Sequence, residues 1–171
     1  MGLLACSPVL NRRIAAFAMV AGAFYTDGSL TEPLFGKGCQ PDLAKGMKVP
    51  IMEWHGKKDT VIGYDGNNSP APNTIPVYQW VREWVAREGC VMQGPKVAVW
   101  DPYIARFGWN CEREGLNDVV AHYQVTNLGH GWPSTVPLEG SWTDPIDLNA
   151  TAHMMLFFDE WKLDRILEPY E

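Results

Sequence analysis

The sequence contains no run of lysine or arginine, and its formal net charge is −6. Proteins that bind nucleic acid or an acidic membrane surface present clustered positive charge, so we expect neither partner. The apolar stretch at residues 14–20 is too short for a transmembrane helix, which needs roughly 20 residues. The cysteines lack CxxC spacing, so the usual sequence signature of a zinc or thioredoxin-type site is missing as well.

The cysteines that are present are even in number, which fits a set of disulfides. The four residues, Cys6, Cys39, Cys90 and Cys111, allow three different pairings. Two N-glycosylation acceptors also occur, at Asn67 and Asn149. Together, these features indicate an oxidising, secretory environment.

Residues 12–23 imitate a secretory signal, because the basic pair Arg12-Arg13 precedes an apolar run and then small residues. The eleven residues ahead of this pair are themselves largely apolar and include Pro8, which is unusual for the start of a signal peptide. Residues 14–20 show no polar alternation, which is typical of a strand buried on both faces of a parallel sheet. We therefore interpret this run as a buried strand.

Hydrophobic periodicity predicts strands that alternate with helices. The strands are expected at residues 14–20, 49–54, 97–100 and 119–125, and the helices at residues 3–8, 77–88 and 150–163. This alternation favours an α/β fold in one domain over residues 1–171. A sheet of so few strands would leave a buried strand unpaired at its edge. We therefore expect the chain to be part of a larger fold.

Each of the two longer predicted helices has an apolar side, with apolar residues three and four positions apart. In the first helix these residues are Val77, Trp80, Val81, Trp84 and Val85. In the last helix they are Met154, Met155, Phe157, Phe158 and Trp161. We expect both sets to be buried against the sheet.

Two of the predicted loops carry residues suited to catalysis. Asp59 follows the strand at 49–54, and His130 lies between two glycines after the strand at 119–125. In open α/β sheets, ligands bind at the carboxyl edge of the strands, where both loops would lie. An aspartate followed later by a histidine is also the order in which the acid and the base follow the serine in α/β-hydrolases.

Such a pair suits acyl transfer from an ester. The histidine accepts the proton of a serine and returns it to the leaving alcohol, while the carboxylate fixes the histidine tautomer. The serine of an α/β-hydrolase lies in a Gly-x-Ser-x-Gly elbow, and no such sequence occurs in the 171 residues. Ser7 and Ser134 are the serines closest to the candidate segments. Ser7 precedes Pro8 at a helix end and lacks the flanking glycines of an elbow, and Ser134 is expected to cap or turn.

Other titratable residues fit structural roles better. Asp65 is the competing acid, but Asp65-Gly66 is typical of a turn. His122 and His153 fall within a predicted strand and a predicted helix, so we expect both to be structural. His55 lies at the end of a strand beside Asp59, and we expect it to orient the Asp59 loop from behind.

Several segments together resemble fungal feruloyl esterases, which are secreted enzymes related to polyhydroxybutyrate depolymerases. The resemblance rests on Val-Pro-Ile-Met-Glu-Trp-His-Gly-Lys-Lys-Asp-Thr-Val-Ile at 49–62, Val-Arg-Glu-Trp at 81–84, Gly-His-Gly-Trp-Pro-Ser at 129–134, Leu-Leu-Ala-Cys at 3–6 and Arg-Arg-Ile-Ala-Ala-Phe-Ala at 12–18. It extends over nearly the whole chain.

The resemblance implies that the chain is the C-terminal half of an α/β-hydrolase fold, a mostly parallel sheet flanked by helices, with the N-terminal half missing. It assigns Asp59 as the acid and His130 as the base of a catalytic triad. It also implies that the nucleophile elbow and the oxyanion loop lie upstream of Met1. Trp132 is expected either to line the acyl pocket or to pack over the histidine loop.

The activity implied by the resemblance is that of a secreted serine carboxylesterase. Such an enzyme releases ferulate and other hydroxycinnamates from plant cell-wall polysaccharide such as arabinoxylan, through an acyl-enzyme. Its substrate would be a small ester or a feruloylated polysaccharide, and no metal or organic cofactor is implied. No signal peptide is expected within the chain as given. The alternative is a catalytically inactive fragment, or a truncated gene product with no enzymatic role.

For the disulfides we favour the pair Cys90–Cys111, because it would connect the end of the helix at 77–88 to the loop before the strand at 119–125. Cys6 and Cys39 would then form the remaining pair. The other possibility is that Cys6 or Cys39 bonds a cysteine of the missing half.

Overall fold

The architecture comes from a computed structural model, which describes residues 2–7, 9–10, 12–25, 48–67, 73–90, 96–111, 116–138 and 145–167. The elements in chain order are α1 (Gly2–Ala5), β1 (Phe17–Val20), β2 (Ile51–Gly56), α2 (Val77–Arg87), β3 (Lys96–Asp101), β4 (Ile104–Trp109), β5 (Val120–Val125), α3 (Ala150–Glu160) and α4 (Leu163–Leu167). The predicted α/β class is confirmed, and each predicted strand has a counterpart among these elements.

The described strands form one five-stranded sheet in the order β1-β2-β5-β4-β3. The β1–β2 and β2–β5 pairs are parallel, whereas the β5–β4 and β4–β3 pairs are antiparallel. The sheet is therefore mixed, and the expectation of a mostly parallel sheet was wrong. The reason is local, since only residues 102–103 connect β3 to β4, and so short a connection permits only an antiparallel pair.

Strand β4 was not predicted, because Arg106 and Gly108 interrupt its apolar pattern. A tertiary contact explains the glycine. A Cβ atom at Gly108 would lie 2.0 Å from Oδ1 of Asp118, whose other carboxylate oxygen lies 2.9 Å from Nη2 of Arg106. The glycine thus leaves room for an ion pair between Arg106 within β4 and Asp118 just before β5. Sequence periodicity gives no sign of that contact.

Helices cover both faces of the sheet. The ring of Tyr78 on α2 lies 6.3 Å from that of His122 on β5. On α3, the ring of His153 lies 5.7 Å from Trp54 and 5.6 Å from Tyr123. Successive residues of a strand point to opposite faces, so His122 and Tyr123 face different layers. The chain therefore forms a three-layer arrangement with α2 and α3 on opposite sides of the sheet.

Helix α2 packs as its periodicity predicted. All five residues of its predicted apolar side are buried, namely Val77, Trp80, Val81, Trp84 and Val85. The indole Nε1 of Trp84 donates a hydrogen bond to the carbonyl oxygen of Val49 at 3.2 Å. The helix ends at Arg87, and Gly89 follows in a left-handed conformation with φ of 62°, which a glycine adopts without strain.

Helix α3 is only partly as predicted. Met154, Phe157 and Trp161 are buried, but Met155 and Phe158 are 61% and 38% exposed, so the predicted apolar side was too wide. The helix ends at Glu160, and the separate helix α4 follows. The first turn of α3 is capped by Asn149, whose side chain accepts a hydrogen bond from the amide of Thr151. Within the described ranges, no helix is long and apolar enough to span a membrane.

The predicted disulfide between Cys90 and Cys111 is present and joins residues 21 positions apart. On the chain-entropy account, closing a loop of this length stabilises the fold by about 3 kcal/mol. The same two residues also form a backbone bridge between the end of α2 and the segment after β4. Cys6 is disulfide-bonded as well, and Cys39 lies outside the described residues.

A buried carboxyl group lies at the end of α2. The Oε2 atom of Glu88 accepts a hydrogen bond from the amide of Val49 at 2.9 Å, and no described residue bonds its Oε1 atom. Burial raises the pKa of Glu88 to about 8, although the bond from Val49 and the charge of Lys48 oppose the shift. The folded state therefore favours the protonated form of this group.

This shift makes stability depend on pH. Glu88 binds its proton more tightly in the folded state than in the unfolded state, so the free energy of unfolding should fall as pH rises from about 4.5 to about 8. In Glu88→Gln, which keeps an acceptor for Val49, the fall should be smaller by on the order of a few kcal/mol. Urea unfolding between these pH values measures it, with Glu83→Gln as the control. If the free energy of unfolding falls equally with pH in Glu88→Gln and in the parent, the prediction is contradicted.

Candidate active site

The candidate site lies where two neighbouring parallel strands end. Strands β2 and β5 pair over their full length, and the last residues of the two strands, Gly56 and Val125, are partners. The loop after β2 carries Asp59, and the loop after β5 carries His130. Parallel strands present their carboxyl ends at the same sheet edge, so the register brings the two loops together.

The close approach of the loops depends on Gly56. A Cβ atom at this position would lie 2.1 Å from the carbonyl oxygen of Leu128 and 2.7 Å from that of Gly129, which no side chain allows. Backbone hydrogen bonds join the same segments, from Lys57 to Val125 at 2.8 Å and from Lys58 to Leu128 at 3.0 Å. The glycine after His55 is therefore a packing requirement between the acid and the histidine loops.

Asp59 is held at both carboxylate oxygens. Its Oδ1 atom accepts hydrogen bonds from the amides of Val61 at 2.9 Å and Ile62 at 2.7 Å. Its Oδ2 atom lies 2.9 Å from Nδ1 of His130, a residue 71 positions away in the sequence. The residue is only 6% exposed. The carboxylate therefore has one orientation, with Oδ2 directed at the imidazole.

The geometry defines a tautomer of His130. An ionised carboxylate can only accept hydrogen bonds, so the imidazole donates from Nδ1 and, when neutral, carries its lone pair on Nε2. No described residue forms a hydrogen bond with Nε2, and the side chain is 35% exposed. Nε2 thus has no described hydrogen-bond partner on a partly exposed side chain, which is an arrangement that suits a general base.

His55 lies behind Asp59 and is fully buried. Its Nε2 atom lies 3.4 Å from Oδ2 of Asp59 and 2.9 Å from the carbonyl oxygen of Ile62, while Nδ1 lies 3.0 Å from Oε1 of Glu53. Burial by itself would lower the pKa of His55, but the bond and charge of Glu53, the Ile62 carbonyl and the charge of Asp59 raise it above its usual value. This position fits the predicted role of orienting the acid loop.

Glu53 connects His55 to a second buried histidine. Its Oε2 atom lies 2.6 Å from Nδ1 of His122, a close contact whose angles fall outside hydrogen-bond geometry. Burial would raise the pKa of Glu53, but its contacts with His122 and His55 lower it. The Nε2 atom of His122 in turn lies 2.9 Å from the hydroxyl of Tyr64, which donates to the side chain of Gln124 at 3.1 Å.

The part of this polar cluster beyond His55 was missed by sequence reasoning. Glu53 lies in an apolar strand, and we gave it no role. His122 was expected to be structural, and it is buried within the cluster. One signal was available, since Glu53 and His55 are two residues apart in β2 and must therefore point to the same face. The register that places His122 opposite Glu53 could not be read from the sequence.

The remaining candidates lie as follows. The side chain of Asp65 is 84% exposed, and its Oδ1 atom lies 3.6 Å from Nζ of Lys57. Ser134 is buried, and its hydroxyl accepts a hydrogen bond from the amide of Val136. The hydroxyl of Ser7 lies 3.4 Å from the amide of Leu10. Both serines therefore take part in local turns, and for Ser134 a turn or cap was expected.

Trp132 lies in the same loop as His130 and is 41% exposed. Its indole Nε1 donates a hydrogen bond to the hydroxyl of Thr151 at 3.0 Å, which connects the loop to the first turn of α3. The ring is thus held at its polar edge while much of its surface stays accessible. The two predicted roles, pocket wall and loop packing, are compatible with this placement.

The chain matches no protein-family model, and no curated protein is significantly similar to it. Within the described ranges, no group of three or more His, Cys, Asp or Glu side chains is arranged to hold a metal ion.

The hydrogen bond to Asp59 should determine the tautomer of His130. In Asp59→Asn, the side-chain oxygen can still accept from Val61 and Ile62, but the amide NH₂ then faces Nδ1. We expect neutral His130 to change from the Nδ1–H to the Nε2–H form. Imidazole ¹⁵N spectra at about pH 8.5, above the ordinary histidine pKa of about 6.5, measure the tautomer. Asp65→Asn is the control, and a retained Nδ1–H form in Asp59→Asn would refute the assignment.

Proposed function

We propose that this chain supplies the acid, Asp59, and the base, His130, of a serine carboxylesterase. The observation that carries the proposal is the 2.9 Å contact between Oδ2 of Asp59 and Nδ1 of His130 at the ends of adjacent parallel strands. Two loops distant in sequence meet there with a fixed carboxylate and a partly exposed imidazole, which are the two parts of a triad that activate a serine.

The proposed chemistry moves one proton at Nε2 of His130. In acylation, Nε2 takes the serine proton as the serine oxygen bonds the ester carbon, and it then gives that proton to the departing alcohol. In deacylation, the same nitrogen takes a proton from water and returns it to the serine. Asp59 stabilises the imidazolium that forms in each step and keeps its own charge.

The chain order and the strand order both support an α/β-hydrolase lineage. The acid follows β2 and the base follows β5, the next strand in the sheet, and helices cover both faces. In that fold the nucleophile precedes both residues. On the proposal, the serine elbow lies on polypeptide ahead of residue 1, beside β1, which forms the edge of the described sheet.

The proposed substrate is a hydroxycinnamoyl ester, such as ferulate attached to arabinoxylan. Support comes from the resemblance at residues 49–62 and 129–134 and from the accessible ring of Trp132 beside the base. Aromatic rings stack on one another with modest but specific energy, which suits a phenolic acyl group. The Cys90–Cys111 disulfide is compatible with secretion, where such a substrate occurs.

One observation favours the alternative of a catalytically inactive chain. The 171 residues contain no Gly-x-Ser-x-Gly, and the serines near the candidate segments, Ser7 and Ser134, are engaged in local turns. If no nucleophile is supplied, the Asp59–His130 pair has no hydroxyl to activate. The two functions therefore differ in whether a serine reaches Nε2 of His130.

The kinetic test uses the longest product that the reading frame encodes, assayed with methyl ferulate. His130→Ala and Asp59→Asn should each lower kcat/KM by about 10⁴-fold or more, because the triad acts as a unit. Asp65→Asn, on the next turn of the same loop, is the matched control and should stay near the parent value. Loss of less than tenfold in His130→Ala, or a parent without activity, would overturn the proposal.

The same assay tests Trp132. In Trp132→Ala the value of KM for methyl ferulate should rise by about 2- to 10-fold, the range expected from the loss of one aromatic contact. Turnover of methyl acetate, which has no ring, should be unchanged. Equal effects on both esters would instead assign Trp132 to packing through its bond to Thr151.

A further inference from the structure

The buried ring of His55 faces acceptors at both of its nitrogens. Nδ1 lies 3.0 Å from Oε1 of Glu53. Nε2 lies 2.9 Å from the carbonyl oxygen of Ile62 and 3.4 Å from Oδ2 of Asp59. Carbonyl oxygens and ionised carboxylates cannot donate hydrogen bonds. A neutral imidazole has a single N–H, so one of its nitrogens would direct a lone pair at an oxygen atom.

We propose that His55 is an imidazolium at neutral pH and acts as a positioning residue that holds Asp59 for His130. The inference rests on the proposed function for the roles of Asp59 and His130, but the protonation of His55 can be measured without any activity. His55 would then carry a positive charge at neutral pH although its side chain is fully buried.

The groups that face His55 supply the negative charge that such a cation needs. Glu53 comes from the same strand and Asp59 from the loop that follows it. The ring of Tyr64 meets the imidazole edge-on, with centroids 5.8 Å apart. An isolated buried charge is unfavourable by several kcal/mol, whereas a charge that is paired and hydrogen-bonded on both sides can be retained. Contact with Glu53 raises the pKa of His55, and contacts with His122 and with His55 lower the pKa of Glu53.

The imidazolium would complete the support of the Asp59 carboxylate. Two backbone amides bind Oδ1, and Oδ2 lies between His55 at 3.4 Å and His130 at 2.9 Å. Of the two histidines, His130 makes the shorter contact with Oδ2. Glu53 and His55 then form a pair of opposite charges, so the charge of Asp59 remains available to a proton that arrives on His130. The cluster is therefore suited to stabilise a charged His130 without a second uncompensated carboxylate.

The test is a long-range ¹H–¹⁵N spectrum of the 171-residue chain labelled with ¹⁵N-histidine at about pH 7.5. An ordinary histidine, with a pKa of about 6.5, is about nine-tenths neutral at this pH. The chain has four histidines, and His55→Gln assigns the resonance that disappears. We expect protons on both ring nitrogens of His55. A single protonated nitrogen at this pH overturns the proposal, whatever the state of the other histidines.

A variant tests the source of the charge. Glu53→Gln should leave His55 with one ring proton at about pH 7.5, whereas Glu83→Gln, on the outer side of α2, should leave it with two. A fully protonated His55 in folded Glu53→Gln would overturn the role of Glu53. If Glu53→Gln does not fold, the parent spectrum alone decides the protonation of His55. If the parent spectrum shows a charged His55 but no proton on Nδ1 of His130, that result would count against the proposed function and not against this inference.

Discussion

The site depends on the parallel, in-register pairing of β2 with β5. Six residue pairs align the two strands from Ile51↔Val120 to Gly56↔Val125, so both strands end at the same height. A shift by one residue would place Glu53 and His55 on the opposite face of the sheet from His122, because side chains alternate along a strand. Gly56 then allows the loops after the strands to touch. The Asp59–His130 contact is a consequence of this register.

The same register buries a cluster of titratable side chains inside the sheet. Glu53 and His122 are register partners and both are fully buried. Replacing a buried ion pair by apolar residues is often neutral or stabilising, so such a cluster is weak evidence for stability. Its position behind Asp59 suggests another benefit, since it restricts the carboxylate that His130 must meet. The cluster therefore connects the core of the fold to the chemistry of its edge.

Local sequence patterns predicted the elements that bury one continuous set of apolar residues. The apolar positions of α2 and the uninterrupted run before Ala21 both became buried elements, and the loops of Asp59 and His130 meet. Strand β4 was missed, because Gly108 is explained only by the approach of Asp118 from another segment. The exposure of Met155 on α3 was missed, because hydrophobic periodicity does not show which apolar residues of a helix are covered by the rest of the fold. Features that depend on contact between two distant segments could not be predicted from the pattern of either segment alone.

The central claim is that the Asp59–His130 pair serves a serine, and the 5′ end of the transcript tests it most directly. The account predicts an in-frame Gly-x-Ser-x-Gly a few codons upstream of Met1, because the serine precedes the acid and the base in α/β-hydrolases. With that elbow in place, the chain would be the acid-and-base half of an esterase. A transcript whose translation truly starts at Met1 would contradict the account, since the pair would then have no nucleophile to activate.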